Sequence, residues 1–387
     1  MIWLLRIVLG LTALGWLAGW LKAVHRKRHP RFVLGPGDPP CDPELLVSVV
    51  IPARNEIDNL ADCLEAVLAQ DHPALQVVVL DDGSTDGTTE VLAALSDDPR
   101  VTVVTGGDAP LPEGWFGKPW ALERAQRHAR GDWLFFIDAD VRLAPEAVSR
   151  VIAYGQGHEL GMVSGLGSLE MRSFWERVLQ PAIGGLVLAG NDLDKVNDPE
   201  AEGHDLANGQ LIALSRGAYE RVGRHAAVKA DILDDIGLAR ACRAADVPYH
   251  CLYLRELFSC RMYGSLREIW EGWGKNLFAG LRYSWGNLLG ALVFTALFTQ
   301  SGPLLIVFGV LGGGGELLWW GLGLTALMQV TRLTLDLIWG LSPLYGLTHA
   351  PANLAVMALM VSSAARSSGA GVSWKGRVYR PGETGSR

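Results

Sequence analysis

Two aspartates, Asp138 and Asp140, follow the apolar run Trp133-Leu134-Phe135-Phe136-Ile137. In extended chain, residues i and i+2 point to the same side. Two carboxylates placed so repel unless something positive lies between them. A divalent cation shared with a substrate diphosphate would answer that need, since hard cations prefer oxygen ligands. Aspartate is also common where a strand ends in a polar turn, and a lone D-x-D favours that plainer reading.

Three further stretches carry residues of the same kind. In Asp81-Asp82-Gly83-Ser84 a carboxylate can accept the N–H of a nucleobase, with Gly83 permitting close approach. The plain alternative is a turn held by Asx and Ser bonds to backbone. "PEGWFGKPWAL" (112–122) precedes a helix, and its Lys118 can reach an anionic ligand. A packed surface loop is the alternative there. "KADILDDIGLARACRAA" (229–245) sets Asp234 and Asp235 at the start of a helix. Acidic residues at that end ordinarily stabilise the helix dipole, by about 0.3–1 kcal/mol each. The same dipole would keep a general base ionised at neutral pH.

The elements that position these residues alternate. "LLVSVVIPA" (45–53), "LQVVVLDD" (75–82), "VTVVTG" (101–106) and "WLFFID" (133–138) read as strands. Helices are expected over 56–70, 88–95 and 120–130, the first with Ile57, Leu60, Leu64, Val67 and Leu68 on one face. Strand–helix alternation implies an α/β fold with a mostly parallel sheet covered on both faces. Ligands of such sheets bind at the C-terminal ends of the strands. Pro52-Ala53-Arg54-Asn55-Glu56, the Asp82 turn and Asp138-Ala139-Asp140 all fall there. Neither G-x-G-x-x-G nor G-x-x-x-x-G-K-[ST] occurs, so dinucleotide and P-loop binding are not indicated.

Composition points to a membrane. Of 387 residues, 49% are hydrophobic and only 19% charged, which is light for a soluble enzyme. A net charge of −7 and a pI near 5.7 argue against nucleic acid as a partner. The five cysteines form no CxxC pair, so neither a zinc site nor a disulfide framework is read, and a reducing compartment fits best.

Residues 2–24 are apolar except Arg6 and Lys22, too long a stretch for a signal peptide, and a basic run, 25–31, follows them. The positive-inside rule then puts the next domain in the cytoplasm. Residues 283–315 and 337–365 carry no charge, and another apolar run spans 317–331. Arg332 and Asp336, four apart on a helix, can pair. In 262–282, Leu266, Ile269, Trp270, Trp273, Leu277 and Leu281 form a stripe suited to the membrane surface. An ordinary amphipathic helix packed on the protein is the alternative. The expected organisation is a transmembrane helix (1–25), a basic linker (26–44), a cytoplasmic catalytic domain (45–260), an interfacial segment (261–282), two or three transmembrane segments (283–365) and a cytoplasmic tail (366–387). That makes a multi-pass protein of the cell (inner) membrane.

Taken together, "VSVVIPARNE", "VVVLDDGSTDGT", "GWFGKPWAL", "FFIDADV", "ANGQLIALSRGAYERVG" and "ILDDIGLARACRAA" resemble the family 2 glycosyltransferases of GT-A fold, over about residues 45–280. One helix before the domain, several after it and the terminal "WKGRVY" look most like the lipid-acceptor branch, with its hopanoid-associated, carotenoid and ceramide glycosyltransferases. The resemblance implies an inverting transfer of a hexose from a UDP-sugar to a hydroxyl of a membrane lipid, with Mg²⁺ or Mn²⁺. It implies that Asp82 binds the uracil, that Pro52, Ala53 and Glu56 cup the nucleoside, and that Lys118 lies on the nucleotide-sugar side. Asp138 and Asp140 match the metal motif, Asp140 as the direct ligand. Asp235 matches the catalytic base, with Asp234 supporting or capping. The Q-x-x-R-W motif of processive members is absent, and "IWEGWGKNLFAG" stands in its place. That departure weighs against a polysaccharide synthase. Intact acidic motifs weigh against a non-catalytic scaffold.

Overall fold

The computed structural model describes residues 2–35, 41–95, 97–107, 111–368, 372–374 and 377–379. Part of the expected linker and most of the expected tail lie outside them. The chain divides into two compact units. One draws on Phe32–Met171 and Ala189–Met262, the other on Met1–Arg31, Arg172–Leu188 and Tyr263–Ala370.

Between residues 32 and 262 the described residues form ten strands: β1 Val47–Ala53, β2 Leu75–Asp81, β3 Val101–Thr105, β4 Trp133–Ile137, β5 Val141–Leu143, β6 Met162–Leu166, β7 Ser168–Leu169, β8 Leu211–Ser215, β9 Tyr249–Tyr253 and β10 Phe258–Cys260. Seven form one sheet in the order β3-β2-β1-β4-β8-β6-β9, and β5-β10-β7 form a smaller one. The large sheet is parallel except where β8 runs against β4 and β6. Burial on both faces explains the near-continuous apolar runs of β1, β2 and β4.

Alternation along the strands makes two cores. Val49, Ile51, Val77, Val79, Phe135 and Ile137 pack with Leu60, Leu64 and Leu92 of the Leu60–Leu68 and Thr88–Leu95 helices. Val50, Val78, Leu80, Leu134 and Phe136 pack with Ala121 and Leu122 of the Gly117–Ala125 helix, and with Leu238 and Ala239 of the Asp234–Ala244 helix.

Helix bounds differ from the sequence expectation for local reasons. The first helix starts at Leu60 rather than 56, because the backbone N–H groups of Glu56 and Ile57 reach across to Thr88 Oγ1 and Asp86 Oδ2. The helix expected over 120–130 starts at Gly117 and ends at Ala125, followed by a 3₁₀ turn over Gln126–His128. Beyond that turn the Arg130 N–H donates to Gln76 Oε1 at 2.8 Å, which takes the chain off the helical path.

The second unit is helical. Among the described residues, Trp3–Arg28, Trp285–Leu311 and Pro343–Ser367 are long and apolar enough to cross a membrane. The Glu316–Ile338 helix carries Arg332 and Asp336, which pair at 2.8 Å in a buried setting, as their spacing suggested. Arg6 of the N-terminal helix pairs with Glu316 at 2.6 Å. The Leu266–Gly280 helix buries Ile269, Leu277 and Phe278. It is bonded to the His349–Ser367 helix: Phe278 N–H donates to Ser363 Oγ at 3.0 Å, and Ser363 Oγ donates to Gly274 O at 2.6 Å. Of the six stripe residues, Ile269 and Leu277 are buried, and Leu266, Trp270, Trp273 and Leu281 remain partly exposed.

Candidate active site

Strand parity decides which side each strand-end residue serves. Val78 and Leu80 of β2 face the second core, so Asp82 continues toward the Gly117–Ala125 helix. Asp81 falls on the other side, by the Thr88–Leu95 helix. Their contacts differ accordingly. Asp81 Oδ1 accepts the Ser84 N–H at 2.9 Å and its Oδ2 accepts the Thr89 hydroxyl at 2.7 Å, so Asp81 ties the turn. Asp82 Oδ1 lies 2.7 Å from Arg124 Nη2, a charge-assisted bond in a largely buried setting. The turn-holding reading of this motif is met by Asp81.

The end of β1 completes this corner. The Asp82 N–H donates to Ala53 O at 2.8 Å, and the Arg54 guanidinium donates to Asp82 O. Pro52 stands opposite Leu80, and Ala53 opposite Asp81. The Glu56 N–H donates to Thr88 Oγ1 at 2.8 Å. Gly83 has φ +75°, a left-handed conformation that glycine adopts without strain, which lets the chain turn directly after Asp82. Pro52, Ala53, Glu56 and Asp82 therefore share one corner.

A second group forms at the end of β4. Lys118, in the first turn of the Gly117–Ala125 helix, places Nζ 2.5 Å from Asp138 Oδ1 and donates to Gly209 O at 3.4 Å. Burial disfavours the ammonium. Asp138 above all, then Asp234 and Asp235, outweigh that penalty and hold the lysine's pKa up. Asp235 Oδ2 accepts the Gly209 N–H at 2.9 Å, and its Oδ1 accepts the Ile236 N–H at 2.8 Å. Burial first, then repulsion from Asp234, pushes Asp235 up to about 6, against the pull of Lys118 and the two N–H donors. Asp234 is the first helical residue rather than the cap. That place belongs to Leu233, which makes no side-chain cap bond. Lys118, Asp138, Gly209 and Asp235, spread over 118 positions, thus meet at the end of β4, where the Gly117–Ala125 and Asp234–Ala244 helices cover one face of the sheet.

Asp140 lies one turn beyond β4, beside the Cys260 thiol at the end of β10. Gln210 Nε2 donates to Cys260 Sγ at 3.2 Å. Among the described residues, no group of three or more His, Cys, Asp or Glu side chains could hold a metal ion. Asp138 and Asp140 supply two hard carboxylates at one strand end. That donor set fits Mg²⁺ or Mn²⁺, which take one or two carboxylates and complete their shell with substrate phosphates and water.

Two contributors escape sequence reasoning. Gly209 offers its N–H to Asp235 and its carbonyl to Lys118, and a Cβ there would lie 2.9 Å from Lys118 Nζ. Arg124 binds both Asp82 and, at 2.7 Å, the Gly106 carbonyl. Their signal is long-range contact, which no local pattern carries.

Residues 48–188 match the family described as Glycosyl transferase family 2. This chain carries a family 2 glycosyltransferase domain. The match takes in Asp82, Lys118, Asp138 and Asp140 and ends before Asp234 and Asp235. The domain has the α/β GT-A fold of that family, with apolar helices on either side of it in sequence. It is similar to the 4,4'-diaponeurosporenoate glycosyltransferase of Staphylococcus aureus (strain USA300), with 28% identity over 252 residues. The match covers 64% of each chain, so this chain spans just under two thirds of that relative's length. Among solved structures, this chain is similar to a mannosyltransferase from Pyrobaculum calidifontis in complex with GDP-Man and Mn²⁺ (20% identity, 92% and 98% of the two chains, TM-score 0.47). It is also similar to glucosyl-3-phosphoglycerate synthase from Mycobacterium tuberculosis in complex with Mn²⁺, UDP and phosphoglyceric acid (21% identity, 65% and 86%, TM-score 0.43).

Proposed function

We propose that the chain transfers a hexose from a UDP-sugar to a hydroxyl of a membrane lipid such as a carotenoid, hopanoid or glycerolipid, with inversion at the anomeric carbon. Asp82 and its neighbours Pro52, Ala53 and Glu56 receive the nucleoside. Asp140, with Asp138 beside it at the same strand end, would hold Mg²⁺ or Mn²⁺, and the cation would supply charge neutralisation on the leaving nucleotide. Asp235 accepts the proton of the acceptor hydroxyl as its oxygen attacks the anomeric carbon opposite the leaving UDP. The C1–O bond to the diphosphate breaks as the new glycosidic bond forms. One displacement inverts the centre, and no second nucleophilic carboxylate is needed.

The observation that carries this reading is the setting of Asp235. A carboxylate pushed up to about 6 is ionised at neutral pH, yet basic enough to take a proton. Two backbone N–H groups hold it in one orientation. That setting also bears on the acceptor. The Staphylococcus relative is named for a carboxylate, diaponeurosporenoate. A carboxylate acceptor is already deprotonated near neutral pH and asks for no base. A poised base favours a hydroxyl acceptor in this chain.

The membrane placement follows the apolar helices. The basic run 25–31 favours a cytoplasmic catalytic domain. The basic residues near the start of the tail, Lys375, Arg377 and Arg380, favour a cytoplasmic C-terminus as well. The test is UDP release by purified protein supplied with UDP-hexose and a lipid extract, with mass spectrometry of the lipids. Asp235→Asn should lower kcat by roughly 100-fold or more and leave UDP binding nearly unchanged. Normal turnover in that variant overturns the assignment of the base.

A further inference from the structure

One helix sends a cation to each of two strand-end carboxylates. Lys118, in its first turn, meets Asp138, and Arg124, in its last, meets Asp82. The lysine lies on the sugar side. The arginine has no part in the chemistry above, yet it is the more tightly built of the two. Its Nη2 is 2.7 Å from Asp82 Oδ1, its Nη1 donates to Gly106 O at 2.7 Å, and its guanidinium lies 5.4 Å over the Trp120 ring. The backbone at 106 makes room for it. A Cβ there would come within 2.9 Å of Arg124 Nη2 and 2.6 Å of Asp81 O.

We propose that Arg124 is a specificity-determining positioning residue that makes the nucleotide site select a uracil-type edge over a guanine-type edge. The inference rests on the reading of Asp82 as the residue that meets the base. The chemistry is one of donors and acceptors. Uracil presents a single ring N–H between two carbonyl oxygens. Guanine presents a ring N–H beside an exocyclic NH₂, and that pair of donors asks for both oxygens of one carboxylate. Arg124 already holds Oδ1 of Asp82, so the bidentate guanine contact meets a competing cation. A guanidinium beside the carboxylate instead offers a donor next to an acceptor, which suits a carbonyl next to an N–H. Cytosine and adenine carry a lone pair in place of the ring N–H and meet the carboxylate with repulsion. The two-point hold on Asp82 and Gly106 keeps the carboxylate from turning to accommodate the wrong edge.

The test titrates UDP and GDP, each with Mg²⁺, into the purified full-length protein in detergent by calorimetry. The native protein should bind UDP roughly tenfold or more tighter than GDP, the scale of one bond to a charged group. Arg124→Gln should bring that ratio down to about threefold or less, and Arg124→Lys should lie between. A merely structural arginine would weaken both nucleotides alike and leave the ratio where it was. An unchanged ratio in Arg124→Gln overturns the inference, as does a native preference for GDP. If Arg124→Gln fails to fold, the Arg124→Lys ratio decides in the same way. Asp82→Asn separates the two layers. If it leaves both affinities unchanged, the base-binding reading of Asp82 falls and takes the inference with it. If it weakens UDP while Arg124→Gln keeps the ratio, the role of Arg124 alone falls.

Discussion

Lys118 Nζ sits 2.5 Å from Asp138 Oδ1, and the same ammonium acts on Asp235, ninety-seven residues further from Asp138 along the chain. One lysine therefore links the strand end expected to meet the donor with the carboxylate expected to act as base. Lys118 pulls the Asp235 pKa down against burial and Asp234. The base works deprotonated, so activity should fall as pH drops through about 6. Removing the cation lets the pKa rise. Lys118→Met should shift the acidic limb of the kcat profile upward by roughly one pH unit. A limb that stays in place would show that the lysine does not act on the base.

The same pKa makes a statement about stability. Asp235 is raised in the folded state, so its proton favours folding. That contribution is complete below the unfolded carboxylate value near 4 and is lost as pH rises through about 6. Asp235→Asn removes the burdened charge. Its stability gain over the native protein should be largest above pH 6 and vanish toward pH 4. Thermal unfolding across that range checks it, and a gain that grows on acidification would reverse the assigned shift.

Asp140 should matter for turnover rather than for folding. Asp140→Asn is expected to retain the native melting temperature and to lose activity, and excess EDTA should silence the native enzyme. The motive is a pair of carboxylates at one strand end, a donor set that fits Mg²⁺ or Mn²⁺ once a diphosphate completes it. Full activity in either experiment would sink the metal assignment.

The parts of the site that could be read in the sequence are those written locally. Trp133–Ile137 running into Asp138 marks a buried strand and its polar end, and the Asp81-Asp82-Gly83 turn repeats the pattern on β2. That Asp81 and Asp82 face opposite sides of the sheet is also local, because it follows from alternation. Gly209 and Arg124 were not legible. Each acts through a contact between elements distant in sequence, 26 residues apart in one case and 42 in the other. The reversal of β8 was hidden for a different reason. A central strand buried on both faces has the same apolar run in either direction. The stripe over 262–282 was legible as amphipathic, but periodicity does not say whether a lipid or another helix covers it.

The orientation of the catalytic domain can be read with one engineered thiol. All five native cysteines are free and buried, so they should label slowly. Asp97 is exposed, and Asp97→Cys would supply a single reactive site. A membrane-impermeant maleimide should modify it only after the cells are opened. Labelling of intact cells would reverse the topology inferred from the basic run 25–31.

The buried pair of Arg332 and Asp336 gives a test of the helical unit. Ionisable groups inside a membrane bundle are by default suspected of function. Here each is the other's partner at 2.8 Å, with 5% and 0% side-chain exposure, which is also what a structural pin looks like. Removing one partner strands the other charge in the interior. Arg332→Met or Asp336→Leu alone should cost about 3–5 kcal/mol, seen as a fall in melting temperature on the order of 10 °C. Replacing both removes the charge and its burden together, so the double variant should recover most of the loss. It should also keep its UDP-release rate with lipid extract, since the pair is satisfied within one helix. A double variant that melts normally but no longer turns over would assign the pair to the acceptor's path instead.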